Sequence, residues 1–134
     1  MTKKFSILIF IAALFLFCLT QVSAQTRKRV QFAIGSSAAT VTGAVRGFAY
    51  ADYVVGARAG QTLSVNLSAA ARGTVPVFTV FLPDGNNLQG AAETNEFTGE
   101  IPASGNYVIR VLMMRSTARR KNSVANYSLR ISIR

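Results

Sequence analysis

The sequence predicts an all-β chain: a single antiparallel β-sandwich of about eight strands. Three observations lead there. Apolar residues alternate with polar ones at period two, which places one face of each segment on a core and the other in water. Turn signals rich in Gly, Pro, Asn and Ser separate these segments at short, even intervals, as in a sandwich. Beyond residue 24 no apolar stripe repeats at the 3.6-residue helical period.

The first two dozen residues stand outside the predicted domain. Lys3 and Lys4 form a positive start, Phe5–Leu19 is apolar except for Ser6, and Val22-Ser23-Ala24 supplies a small-residue cleavage signal. Residues 1–24 therefore read as a secretory signal peptide cleaved after Ala24. The apolar run of 15 residues is shorter than the ~20 that a membrane-spanning helix needs. Bulky Phe15-Leu16-Phe17 before Cys18 does not resemble a lipoprotein site. The domain is then residues 25–134, long enough for one core without disulfides.

Within that domain, Gln25-Thr26-Arg27-Lys28 reads as a loose basic N-terminus. Val30, Phe32 and Ile34 alternate with polar or small neighbours, giving a first strand over 29–34. Further strands are expected at 38–45 and 48–57. Leu63, Val65 and Leu67 alternate with Thr62, Ser64, Asn66 and Ser68, giving a strand at 61–68. Val75–Leu82 is apolar on both faces, and its β-branched and aromatic content favours a central, doubly covered strand. Pro83-Asp84-Gly85-Asn86 ends it with a turn in which Pro presets φ and Gly or Asn takes positive φ. Runs at 87–92, 96–101 and 106–114 follow. Tyr127, Leu129, Ile131 and Ile133 make the clearest alternation, over 125–133. One of these nine runs is expected to be a short or edge piece.

Composition narrows the function. The chain has 134 residues and a formal net charge of +10, with no His, no Trp and one Cys, which leaves with the leader. Residues 25–134 therefore offer no disulfide, no thiolate or imidazole metal site, and no Ser-His-Asp or Cys-His pair. No cofactor or metal is expected. The acidic residues are Asp52, Asp84, Glu93, Glu96 and Glu100. Asp84-Gly85-Asn86-Asn87 lacks the ligand spacing of an EF-hand, and the three glutamates read as solvent-facing. A binding or inhibitory protein is favoured over an enzyme.

One connection stands out. Arg115–Val124 carries Arg115, Arg119, Arg120 and Lys121 with no acidic residue. It is longer than the two to five residues of a usual hairpin. Arg cannot deprotonate, and its planar fork matches carboxylates bidentately. Arg115 and Arg119 could enter a cleft lined by acidic groups, such as that of a glycoside hydrolase, whose chemistry needs paired carboxylates.

Several stretches together resemble the periplasmic inhibitors of goose-type lysozyme. They are Ala59-Gly60-Gln61-Thr62-Leu63, Pro102-Ala103-Ser104-Gly105-Asn106-Tyr107, Arg110-Val111-Leu112 with Arg115 and Ala118-Arg119, and Asn126-Tyr127. The first two are shared with the broader pre-peptidase C-terminal class of secreted β-sandwiches. The Arg110–Arg119 pattern makes the narrower match. The resemblance implies a non-enzymatic, periplasmic protein that plugs a host muramidase, with Arg115 and Arg119 as inserting residues. It implies contacts from Phe48 and Tyr50, where the family has a G-Y-x-Y stretch and this chain has Gly47-Phe48-Ala49-Tyr50. Phe48 lacks the hydroxyl, which leaves stacking but no hydrogen bond. A Ser-Gly-x-Tyr motif of lysozyme inhibitors matches Ser104, Gly105 and Tyr107, as contacts or as a turn before a core Tyr. The expected partner is goose-type lysozyme, the protein acting as a monomer with no nucleic acid or membrane. The alternatives are a secreted module for anionic cell-envelope polymers and, less favoured by the export signal, a nucleic-acid binder.

Overall fold

The computed structural model describes residues 25–70 and 74–134. The expected leader lies outside the described residues.

Eight strands form: β1 (Thr26–Arg29), β2 (Ala38–Arg46), β3 (Tyr50–Ala57), β4 (Thr62–Ala69), β5 (Val77–Phe81), β6 (Glu96–Glu100), β7 (Gly105–Leu112) and β8 (Val124–Ile133). One sheet has the order β1-β3-β7-β5, the other β2-β8-β4-β6. Successive strands thus alternate between sheets along the whole chain. The connections are corners between layers, not hairpins within one sheet. The β7–β8 connection is one such corner, and it is longer than the β2–β3 and β3–β4 corners because it carries turns of its own.

Alternation builds the core as the sequence suggests. Tyr53 and Val55 of β3, Leu63, Val65 and Leu67 of β4, Tyr107, Ile109 and Val111 of β7, and Tyr127, Leu129 and Ile131 of β8 are buried. Each large aliphatic side chain removed from water in this way contributes about 1.5–3 kcal/mol. Tyr53 and Tyr127 meet between the sheets edge to face, with their hydroxyls 2.6 Å apart. One hydroxyl donates to the other, which offsets much of the penalty for burying them. Gly43 of β2, opposite Tyr127, makes room for the pair: a Cβ there would lie 2.6 Å from the Tyr127 hydroxyl.

Four expectations need correction. The sandwich is not wholly antiparallel, because β1 pairs in parallel with β3. The first strand is Thr26–Arg29 and not 29–34, so the basic N-terminus is an ordered edge strand. After Val30 donates to the Val54 carbonyl, the chain leaves the sheet, and Ile34 is fully exposed. Charged side chains on a free edge discourage pairing with another chain, so β1 carries charge where alternation would have predicted apolar residues. Third, β5 is an edge strand and not a central one. Its outer edge is taken by the segment 87–94. Val80 donates to Ala91, Leu88 donates to Val80, and Phe78 and Thr94 exchange bonds. Fourth, 87–92 is therefore no strand; its bridge to β5 is the isolated pair Phe81 and Asn87.

The registers fix which loops share an end of the sandwich. Arg46 of β2 faces Val124 of β8, Tyr50 of β3 faces Leu112 of β7, and Val77 of β5 also faces Leu112. The β2–β3 corner, the residues entering β5 and the β7–β8 loop therefore gather at one end. Gly105 of β7 faces Ala57 at the other end.

Candidate functional site

The β7–β8 loop is not slack. Arg115–Ala118 forms one helical turn, α1, and Ala118 is buried. The Met114 carbonyl accepts from the Thr117 and Ala118 amides at 2.9 Å, and Arg119 donates to the Arg115 carbonyl. A second turn closes when Ser123 N–H donates to the Arg120 carbonyl, with Asn122 at φ +56°. The Ser123 hydroxyl donates to the Ala118 carbonyl at 3.1 Å. The small side chain of Ala118 anchors the turn in the core, and Arg115, Arg119, Arg120 and Lys121 are left exposed around it.

The loop is tied to the β2–β3 corner. Gly47 N–H donates to the Ser123 carbonyl at 3.0 Å, and Gly47 takes φ +53°, a turn that a residue without Cβ makes at no steric cost. Phe48, next in sequence, is 67% exposed. Met114, directly before α1, is 49% exposed, and Val75, ahead of β5, is 52% exposed. Three of the four large exposed apolar residues of the described chain thus sit at the end that carries the arginines. Apolar anchors among arginines are typical of a protein-binding surface.

Tyr50 begins β3 and is half-buried on the outer face of its sheet. The Arg110 guanidinium stacks on its ring at 3.9 Å and approaches the Phe81 ring at 5.1 Å. Arg110 is held by a two-pronged ion pair, Nε to Asp52 Oδ1 at 2.8 Å and Nη2 to Asp52 Oδ2 at 2.9 Å. The bonds to Asp52 outweigh desolvation and raise the Arg110 pKa above its ordinary value. Asp52 and Arg110 lie side by side in the β3–β7 register, so this buried carboxylate is a support for Tyr50. Among the described residues it forms the only ion pair. The loop cations have no carboxylate partner there.

Ser104 and Tyr107 are at the opposite end. At ~3.4 Å per residue along β7, Ser104 lies about 27 Å and Tyr107 about 17 Å from Leu112, after which the arginine loop begins. The Ser104 hydroxyl accepts from Ala59 N–H at 2.9 Å, bracing the β3–β4 corner. Tyr107 is wholly buried, and its hydroxyl donates to the Ala103 carbonyl at 2.7 Å. This motif is a turn followed by a core tyrosine. The structure brings Arg115, Arg119, Phe48 and Tyr50 to one end and leaves Ser104 and Tyr107 out.

Sequence reasoning missed Met114, which looked like the close of an alternating strand, and Ser123, whose role depends on a contact across the loop. Among the described residues no group of three His, Cys, Asp or Glu side chains gathers as a metal site would require.

No protein-family model matches the chain. It is 33% identical over 127 residues to the inhibitor of g-type lysozyme of Escherichia coli (strain K12), covering 92% of this chain and 94% of that protein. Among solved structures, Aeromonas hydrophila PliG, a periplasmic lysozyme inhibitor of g-type lysozyme, superimposes with a TM-score of 0.69 at 34% identity, covering 81% of this chain and 96% of that one. The pre-peptidase C-terminal domain of a Bacillus anthracis collagenase shares the fold, with a TM-score of 0.54 at 13% identity, covering 82% of this chain and 96% of that one. With a third of its positions shared across nearly the full length of both chains, the protein belongs to the family of periplasmic inhibitors of g-type lysozyme.

Proposed function

We infer that this chain is an exported, periplasmic inhibitor of goose-type lysozyme, with residues 1–24 removed on export, and that it acts by presenting the arginine end of the sandwich to the enzyme's cleft. It performs no chemistry of its own. The observation that carries the reading is the convergence on one end of exposed, unpaired arginines and exposed Phe48 and Met114, on a loop already held by its own hydrogen bonds.

The mechanism follows from the geometry. Hydrolysis of a glycosidic bond needs carboxylates in the cleft. Arg115 and Arg119, four residues apart on α1 and its cap, lie on the same side of one helical turn. Both forks can therefore enter together and form charge-assisted bonds with cleft carboxylates. Phe48 and Met114 exclude water around them, which strengthens those bonds. The loop is ordered beforehand, so less conformational freedom is lost on binding. Tyr50, fixed by Arg110 and Asp52, supports the corner that carries Phe48.

The test is lysis of bacterial walls, followed by turbidity, by goose-, chicken- and invertebrate-type lysozymes with and without residues 25–134. The goose-type enzyme should be inhibited at stoichiometric levels and the other two spared. Equal inhibition of all three, or of none, contradicts the reading.

A further inference from the structure

Behind α1 the loop returns to β8 alongside the β2–β3 corner and borders an open recess of about 410 Å³. Its lining includes Arg46, Gly47, Ala118, Arg120 and Asn122. Arg46 ends β2, opposite Val124, and Arg120 sits on the turn closed by Ser123. Neither has a carboxylate partner among the described residues, where Asp52 is committed to Arg110. Two guanidiniums around a common recess repel one another, and an anion between them removes that repulsion. Gly47 and the buried Ala118 contribute almost no side-chain bulk, which leaves the recess open. The exposed Asn122 carboxamide adds a neutral donor at its rim. Arg115 and Arg119 are not among the lining residues. A group held here is therefore distinct from any that the tip of the loop engages.

We propose that Arg46 and Arg120 form a second carboxylate-binding site, which takes an Asp or Glu side chain of the lysozyme from the rim of its cleft while Arg115 and Arg119 occupy the interior. This rests on the reading of the arginine end as the inhibitory surface. The recess adjoins that surface, since Arg120 follows Arg119 and Gly47 precedes the exposed Phe48. Planar forks favour a carboxylate over a more diffuse anion, because each can donate two parallel bonds to it. Arg46 thereby becomes a determinant of affinity on a strand end that shows no loop signature in the sequence.

The experiment is surface-plasmon-resonance binding of the full mature chain to immobilised goose-type lysozyme, with circular-dichroism melts to check folding. The variants are Arg115→Ala, Arg46→Ala, Arg120→Ala, the Arg46→Ala/Arg120→Ala double, and the double Lys replacement. Arg46→Ala and Arg120→Ala are each expected to raise Kd about tenfold, mainly through faster dissociation. The double should cost less than the product of the singles, because both act on one carboxylate. The Lys pair should recover only part of the loss. If the Arg46/Arg120 double binds like the wild type while Arg115→Ala is impaired, the second site is wrong and the inhibitory surface stands. If, on a parallel surface of immobilised polyphosphate, the double loses retention while its binding to the lysozyme is unchanged, the recess serves a polyanion and the proposal is overturned. If the losses multiply fully and disappear in high salt, they reflect diffuse charge, and a shared site is again excluded. If the wild type does not bind, both readings fall.

Discussion

Arg115 and Arg119 carry charge that no residue of the described chain neutralises, and they carry it on a backbone already bonded into a turn. Truncating one partner of a desolvated charge pair costs about 2–5 kcal/mol. Arg115→Ala and Arg119→Ala should therefore each raise the inhibition constant by about tens- to thousands-fold. Arg→Lys should also weaken inhibition, because a point charge does not reproduce the fork. Tyr50 is in a different position, half-buried on a guanidinium. Tyr50→Ala should lower stability by less than the ~3–5 kcal/mol of a core aromatic and should weaken inhibition; thermal melts run beside inhibition assays separate the two effects. A basic run without acids makes the loop stand out in the sequence, and within it only the resemblance singles out Arg115 and Arg119. The role of Asp52 was not legible, since a lone carboxylate in an alternating segment gives no hint that Arg110 lies beside it on the neighbouring strand.

The β7–β8 loop depends on two small residues, Ala118 in the core and Ser123 at the latch. Ser123→Ala removes one hydrogen bond, worth about 0.5–1.5 kcal/mol, from the loop that the proposed mode of inhibition presents to the enzyme. Dissociation from the lysozyme should quicken by about two- to tenfold, the melting temperature should fall only slightly, and Ser123→Thr should recover the wild-type rate. Kinetics unchanged in the Ala variant would mean that the latch has no part in presenting the arginines. At this scale β4, β7 and β8 were readable to within a residue or two, because one face of each is core and the other is water. Thr26–Arg29 was unreadable as a strand: it has no apolar periodicity, and its parallel partner lies far along the chain. Val77–Phe81 gave a misleading signal, because its outer-face apolar residues are only partly buried, Phe81 lying near the Arg110 guanidinium at a sheet edge and not beneath a second layer.

Across the whole molecule, strict alternation between sheets sets the two ends of the sandwich apart by the length of a strand. No local pattern reveals this, since the end on which a loop lies depends on the direction of every strand before it. That is why the sequence grouped Ser104 and Tyr107 with the arginines, whereas the structure places them toward the other end. The core between the ends sets an alkaline limit. Burial, reinforced by the bond to Tyr53, raises the Tyr127 pKa far above its ordinary value. Above about pH 10, where an unfolded tyrosine loses its proton, the unfolded chain binds fewer protons than the native one, and stability falls as pH rises. Below that pH the contribution is intact. Urea midpoints measured from pH 7 upward should therefore decline past about pH 10, and less steeply in Tyr127→Phe. The separation of the ends also gives the most direct test of the account: inhibition constants against goose-type lysozyme for Arg115→Ala/Arg119→Ala and for Ser104→Ala/Tyr107→Phe, each compared with the wild type. The account predicts a loss of about a hundredfold or more from the first pair at unchanged melting temperature. From the second it predicts a lowered melting temperature with the inhibition constant unchanged below it. Inhibition that survives loss of both arginines, or fails in the folded Ser104/Tyr107 variant, would contradict it.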